Sequence, residues 1–193
     1  MNIAEAIEKI RQVLVRTFSV VDTWFDAPEA LRAHLPADGG WNIPQILEHI
    51  SLTNHFLLIL IDKARVKALK NVNLTQFQSE LTHYHFESDR LEQIGIHRSF
   101  AWVRPAHMEP EGKRTPEEIR VLLKEQLQRC LDTLIQLPNG EGILSTTTMT
   151  VNELGKLDVY QYLYFLAQHA RRHIAQLNRV KEEFEATRGR VIN

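Results

Sequence analysis

The chain has 193 residues, 44% hydrophobic and 24% charged, which supplies one sizeable core and is cramped for two, so a single domain over residues 1–193 is expected. Its 23 basic and 24 acidic side chains nearly cancel, and the formal charge of −1 gives no global pull toward nucleic acid or an anionic membrane. Cys130 is the one cysteine, which excludes an internal disulfide and a cysteine-rich metal site.

The opening MNIAEAIEKI places Glu5, Glu8 and Lys9 where a signal peptide needs an apolar run. No later stretch approaches the ~18 uninterrupted apolar residues of a membrane span. The expectation is a soluble, cytoplasmic protein with neither nucleic acid nor membrane as partner.

Four long segments carry helical periodicity. The first runs from about Ile3 to Phe25, with Ile3, Ile7, Ile10, Leu14 and Phe18 spaced by three or four residues, and Ala27-Pro28 ends it. After the loop PADGGWN, Asn42 and Gln45 form a capping box with Pro44 in the tolerant first turn, and the second helix extends to about Lys70. The third begins at the capping box Thr115-Pro116-Glu117-Glu118 and reaches about Leu137, where Pro138-Asn139-Gly140 stops it. The fourth starts near Asp158, with Gln161 three residues on, and runs to about Thr187 before Gly189. Between the second and third lies the long connection Asn71–Arg114, which allows two consecutive helices to run parallel. Strand signals are weak throughout. The predicted fold is all-α, a four-helix bundle with a long crossover between its second and third helices.

On the fourth helix, Tyr162, Leu166, His169, Ala170, His173, Ile174, Leu177 and Val180 share one face at about 100° per residue. The second helix groups Ile46, His49, Ile50, Thr53, Leu57 and Leu60 in the same way. Three imidazoles therefore point inward from two helices. His49 alone reads first as a core histidine bonded to a carbonyl. The i, i+4 pair His169 and His173 is harder to explain that way. Two neutral imidazoles on one buried face need partners for four nitrogens, and two protonated ones repel, whereas a divalent cation answers both difficulties. Ala170, Arg171 and Arg172 fill the gap, so the glutamate of a zincin HExxH is missing, and both arginines are expected on a solvated surface. His83 and His85 have HxH spacing and could supply a fourth ligand or line the pocket, though a polar crossover is the simpler reading. His34, His55, His97 and His107 have no partner at useful spacing. Cys130, with no adjacent base, reads as a buried structural thiol.

The stretches WNIPQILEHISLTNHFL, TPEEIRVLLKEQLQRCLDTL and MTVNELGKLDVYQYLYFLAQHARRHIAQLNRV together resemble the DinB superfamily, in particular its YfiT-like branch of metal-dependent hydrolases and thiol transferases. The resemblance covers about residues 5–182 and is most specific at Trp41 with His49 and at the terminal HxxxHxxQ of His169, His173 and Gln176. It implies helices running up, down, down and up. It also implies that His49 joins His169 and His173 in holding one divalent metal ion, zinc or nickel. A low-molecular-weight thiol serves several members as cosubstrate. The family's name reflects damage induction in one lineage and implies no DNA binding here.

Three neutral ligands leave the ion's charge intact and coordination positions open. The leading expectation is thus an enzyme acting on a small-molecule substrate through metal-activated water (a hydrolase) or a metal-activated thiol (a transferase). The alternative is a non-catalytic, stress-associated interaction protein with a structural metal, for which partner binding or a homodimer is the role. Since each imidazole must be neutral to bind, acidification through about pH 6 is expected to release the ion.

Overall fold

Asn2 opens the first helix, α1 (Ile3–Thr23), because its side chain accepts from the Glu5 amide at 2.9 Å while the Glu5 carboxylate accepts from the Asn2 amide at 3.1 Å. Reciprocal caps of this kind satisfy backbone donors that the first helical turn leaves unpaired. The computed structural model describes residues 1–101 and 105–191; residues 102–104 of the crossover and 192–193 of the expected domain lie outside the described residues. Ile7, Ile10, Leu14 and Phe18 are all buried, as their spacing demands. α1 ends two residues earlier than its periodicity suggests, in a 3-10 turn at Trp24–Asp26.

A short α2 (Glu29–Arg32) precedes α3 (Ile43–Lys70), which begins at the predicted Asn42–Gln45 box and ends at the predicted Lys70. The crossover contains α4 (Leu74–His83) and α5 (Asp89–Glu92), joined by 3-10 turns to α6 (Pro116–Gln136), whose cap is the predicted Thr115–Glu118 pair. The long α7 (Val159–Val191) closes the described chain. α7 lies against α1 and α3, and α6 lies against the same two, so the four long helices surround a common apolar cluster. Arg120 of α6 donates to both Asp22 and Asp26 at 2.8–2.9 Å and ties that helix to the end of α1.

Several expectations need correction. A small antiparallel hairpin, β1 (Thr146–Met149) paired with β2 (Gly155–Asp158), stands between α6 and α7, with Thr146 opposite Asp158. Four-residue strands are too short to show an alternating pattern. α7 runs through Gly189 to Val191, because a glycine in an exposed last turn weakens a helix without ending it. From Tyr162 to Ala170 that helix is buried all round rather than on one stripe, since the crossover and β2 cover its far side. Gly95 makes that approach possible: a Cβ there would sit 2.4 Å from the Gln168 amide oxygen. Leu60, expected inward, is exposed, and Leu58 and Ile61 take the buried positions in its place.

Candidate metal centre

Backbone geometry alone brings the three imidazoles together. His169 and His173 are one turn apart on α7, where i and i+4 side chains lie on the same side, and α3 packs against that side with His49 directed at the pair. Ring centroids are 4.6 Å apart for His169 and His173, 4.7 Å for His49 and His173, and 5.2 Å for His49 and His169. One potential ligand atom from each lies within 4.8 Å of the others, so the group could hold a metal ion. The side chains are 3%, 1% and 9% exposed, so bulk water does little to hydrate them.

The tautomers suit an ion. His49 Nδ1 lies 2.7 Å from the Met108 carbonyl oxygen; a carbonyl only accepts, so Nδ1 carries a proton and Nε2 is the atom left to face an ion. His173 Nδ1 lies 2.9 Å from Gln176 Oε1 and is fixed in the same way. His173 Nε2 then stands 3.1 Å from His169 Nε2, close to the ~3.3 Å that separates two nitrogens sharing a tetrahedral zinc. Burial holds His169 well below the usual imidazole range, with further depression from His173 and His49, and burial followed by His49 pushes His173 down to about 3. Both are therefore neutral at pH 7, the form a metal requires. A buried, all-nitrogen set suits a divalent transition metal better than a hard oxygen-seeking ion.

The surrounding shell comes largely from the crossover. Glu48, 4% exposed, accepts from the Gly112 amide at 2.9 Å, and Thr53 Oγ1 lies 3.8 Å from Met108 Sδ. Those contacts hold Met108 over His49. Trp41 packs its ring on His49 at 4.9 Å, and Phe165 lies parallel to His169 at 6.4 Å.

On one side the site opens into a cleft of about 370 Å³, lined by His49, His173 and Gln176 together with His97, three arginines (Arg98, Arg172, Arg179), Asp38 and Glu183. Arg172 corrects the expectation of a solvated surface. It is 8% exposed, donates to the Ile96 carbonyl at 2.5 Å and lies 5.0 Å over the Phe100 ring, because the crossover covers that flank of α7. Arg171 is exposed as expected. His97, which has no sequence partner, lines the same cleft with both ring nitrogens shielded from solvent. Burial, then Arg179, Arg172 and Arg98, push it down to about 4.

His83 and His85 are exposed and do not join the three histidines, which removes the offered fourth ligand. Cys130 is 1% exposed, and burial pushes its thiol up to about 12, so it is the inert core residue expected. Sequence reasoning missed Met108, whose backbone oxygen leaves no residue-type signal, and it missed His97, which a non-periodic loop delivers. Gln176, already singled out in the terminal HxxxHxxQ, holds His173 Nδ1.

The family model of the DinB superfamily matches residues 6–177. The chain belongs to that superfamily. No curated protein and no solved structure compared with it gives a match. No helix among the described residues is long and apolar enough to cross a membrane.

Proposed function

We propose that this DinB-superfamily chain is a divalent-metal-dependent enzyme of the YfiT-like kind, a single domain built on an up-down-down-up bundle. His49, His169 and His173 hold one zinc or nickel ion, and the substrate is a small molecule. The reading rests on one observation: three buried imidazoles converge within ligand distance of one another, and two of them, His49 and His173, line an open cleft. A structural ion is normally enclosed by four protein ligands, whereas three ligands beside an accessible cavity suit a catalytic one.

When bound, an ion there would supply Lewis-acid activation of water or of a low-molecular-weight thiol, which separates the hydrolase and transferase versions of this reading. The chain's own groups define the remainder. Met108 O and Gln176 Oε1 hold the imidazoles in the tautomer that presents lone pairs. His97 lines the cleft beside them, its ring nitrogens shielded from solvent and without a hydrogen-bond partner. Trp41 and Phe165 keep water from the far side of the rings. The alternative of a structural metal in an interaction protein has no comparable support, since it leaves the cleft without a role.

Metal analysis of protein purified without a histidine tag, followed by a turnover screen with and without thiol cosubstrates, tests the proposal. About one ion per chain and turnover that disappears on chelation are expected. An ion-free protein that refuses zinc and nickel would refute it.

A further inference from the structure

We infer that the cleft beside the three histidines recognises a carboxylate on the molecule it admits, with Arg179 as the anchoring cation and His97 and Arg98 flanking it. The inference rests on the metal-enzyme reading and names the substrate class of that same site.

The charges around the cleft are unequal. Of its three arginines, Arg98 lies 3.9 Å from Asp38, and Arg172 is engaged by the Ile96 carbonyl and Phe100. Glu183, the other acid on the rim, accepts from the Ala37 amide at 2.8 Å and lies 3.5 Å from His34. Arg179 makes no hydrogen bond or ion pair among the described residues. The lining side chains thus leave one positive charge over, to which a divalent ion on three neutral ligands would add its own, so the cleft favours an anion. A guanidinium matches a carboxylate through two parallel hydrogen bonds.

The opposite wall is built under constraint. Arg98 has φ of 61°, a left-handed conformation that side chains disfavour, and persists because neighbours fix the turn. Ser99 Oγ lies 2.8 Å from the Gln93 carbonyl and 2.9 Å from that of Ile96, and Arg172 holds Ile96 from α7. The result sets His97, with both nitrogens unpartnered, on the cleft wall beside Arg98. Strained backbone of this kind clusters at ligand-binding and active sites. Arg179 is six residues beyond His173, about 9 Å along the helix axis. The carboxylate therefore sits a few atoms away from the part of the molecule that reaches the imidazoles.

The test uses the full chain loaded with cobalt(II) and three mercaptans of equal length: 3-mercaptopropionate, 3-mercaptopropan-1-ol and 3-aminopropane-1-thiol. The sulfur-to-cobalt charge-transfer band reports binding of each. The acid should bind at least tenfold more tightly than the alcohol, and the amine most weakly. Arg179→Gln should bring acid and alcohol within about twofold of one another while leaving the alcohol's affinity and the cobalt d–d bands as in the parent. Equal affinity of the parent for acid and alcohol, or an unchanged preference in the variant, overturns the carboxylate assignment alone. A chain that takes up no cobalt, or whose cobalt spectrum responds to none of the three mercaptans, overturns the metal-enzyme reading together with this one.

Discussion

Lowering the pH separates a buried metal site from an exposed one, and the burial of His169 and His173 sets the size of the effect. An imidazole with an ordinary pKa of about 6.5 loses metal affinity by about 25-fold between pH 7 and pH 5 through proton competition, and three of them lose on the order of 10⁴-fold. Here burial holds His169 well below the ordinary range and His173 near 3, so both take up protons far less readily than an ordinary imidazole over that interval. Zinc affinity should therefore fall by far less than 10⁴-fold over that interval. This moves release well below the pH 6 that imidazole chemistry alone suggests. Equilibrium dialysis against buffered zinc, with metal counted by mass spectrometry, measures it. A fall near 10⁴-fold with helical circular dichroism intact would refute the reasoning. The same burial makes the ion-free fold acid-sensitive. His173 takes its proton near pH 6.5 in the unfolded chain and near 3 in the folded one, so the unfolded state binds more protons across that window and stability declines as the pH drops through it. By pH 3 the loss from this residue is about 4 kcal/mol, and His173→Gln should flatten the curve in a urea titration series.

Replacing His169 or His173 by alanine should weaken zinc binding at least about tenfold, and Gln176→Leu, which removes the acceptor for His173 Nδ1, by about tenfold, both read by competition with a colorimetric chelator. Unchanged affinity in all three variants would dismiss the site. Chelation should lower the melting temperature but leave helical circular dichroism at 25 °C unaltered, because the apolar cluster of the long helices exists without an ion. Thr115→Ala should cost about 1 kcal/mol in chemical denaturation through loss of the α6 cap, with metal content unaffected. Cys130 should resist an aromatic disulfide reagent in the folded protein and react at once in denaturant; rapid labelling of the native chain would contradict its burial.

Local chemistry made much of the architecture legible. The caps at Asn42, Thr115 and Asp158 are contacts within four residues, and all three form where the pattern places them. The i, i+4 placement of His169 and His173 is equally local, since helix geometry puts both rings on one side whatever packs there. Less local features were misread. The end of α7 and the hairpin at Thr146–Asp158 depend on what covers them, and Leu60 is exposed because the packing of α3 selects Leu58 and Ile61.

The sequence by itself determined the long helices, their starting caps and the inward direction of the histidines, because each follows from periodicity or hydrogen bonding within a few residues. Tertiary structure alone decided that His49 meets the α7 pair, that Met108 fixes its tautomer, and that Arg172 is buried while its neighbour Arg171 is not. It also decided that His97, Arg98 and Arg179 share one cleft. Those relations join residues tens of positions apart through an irregular crossover. No periodicity along the chain encodes where such a loop will dock, because its path is set by the shape and unpaired polar groups of the helices it covers.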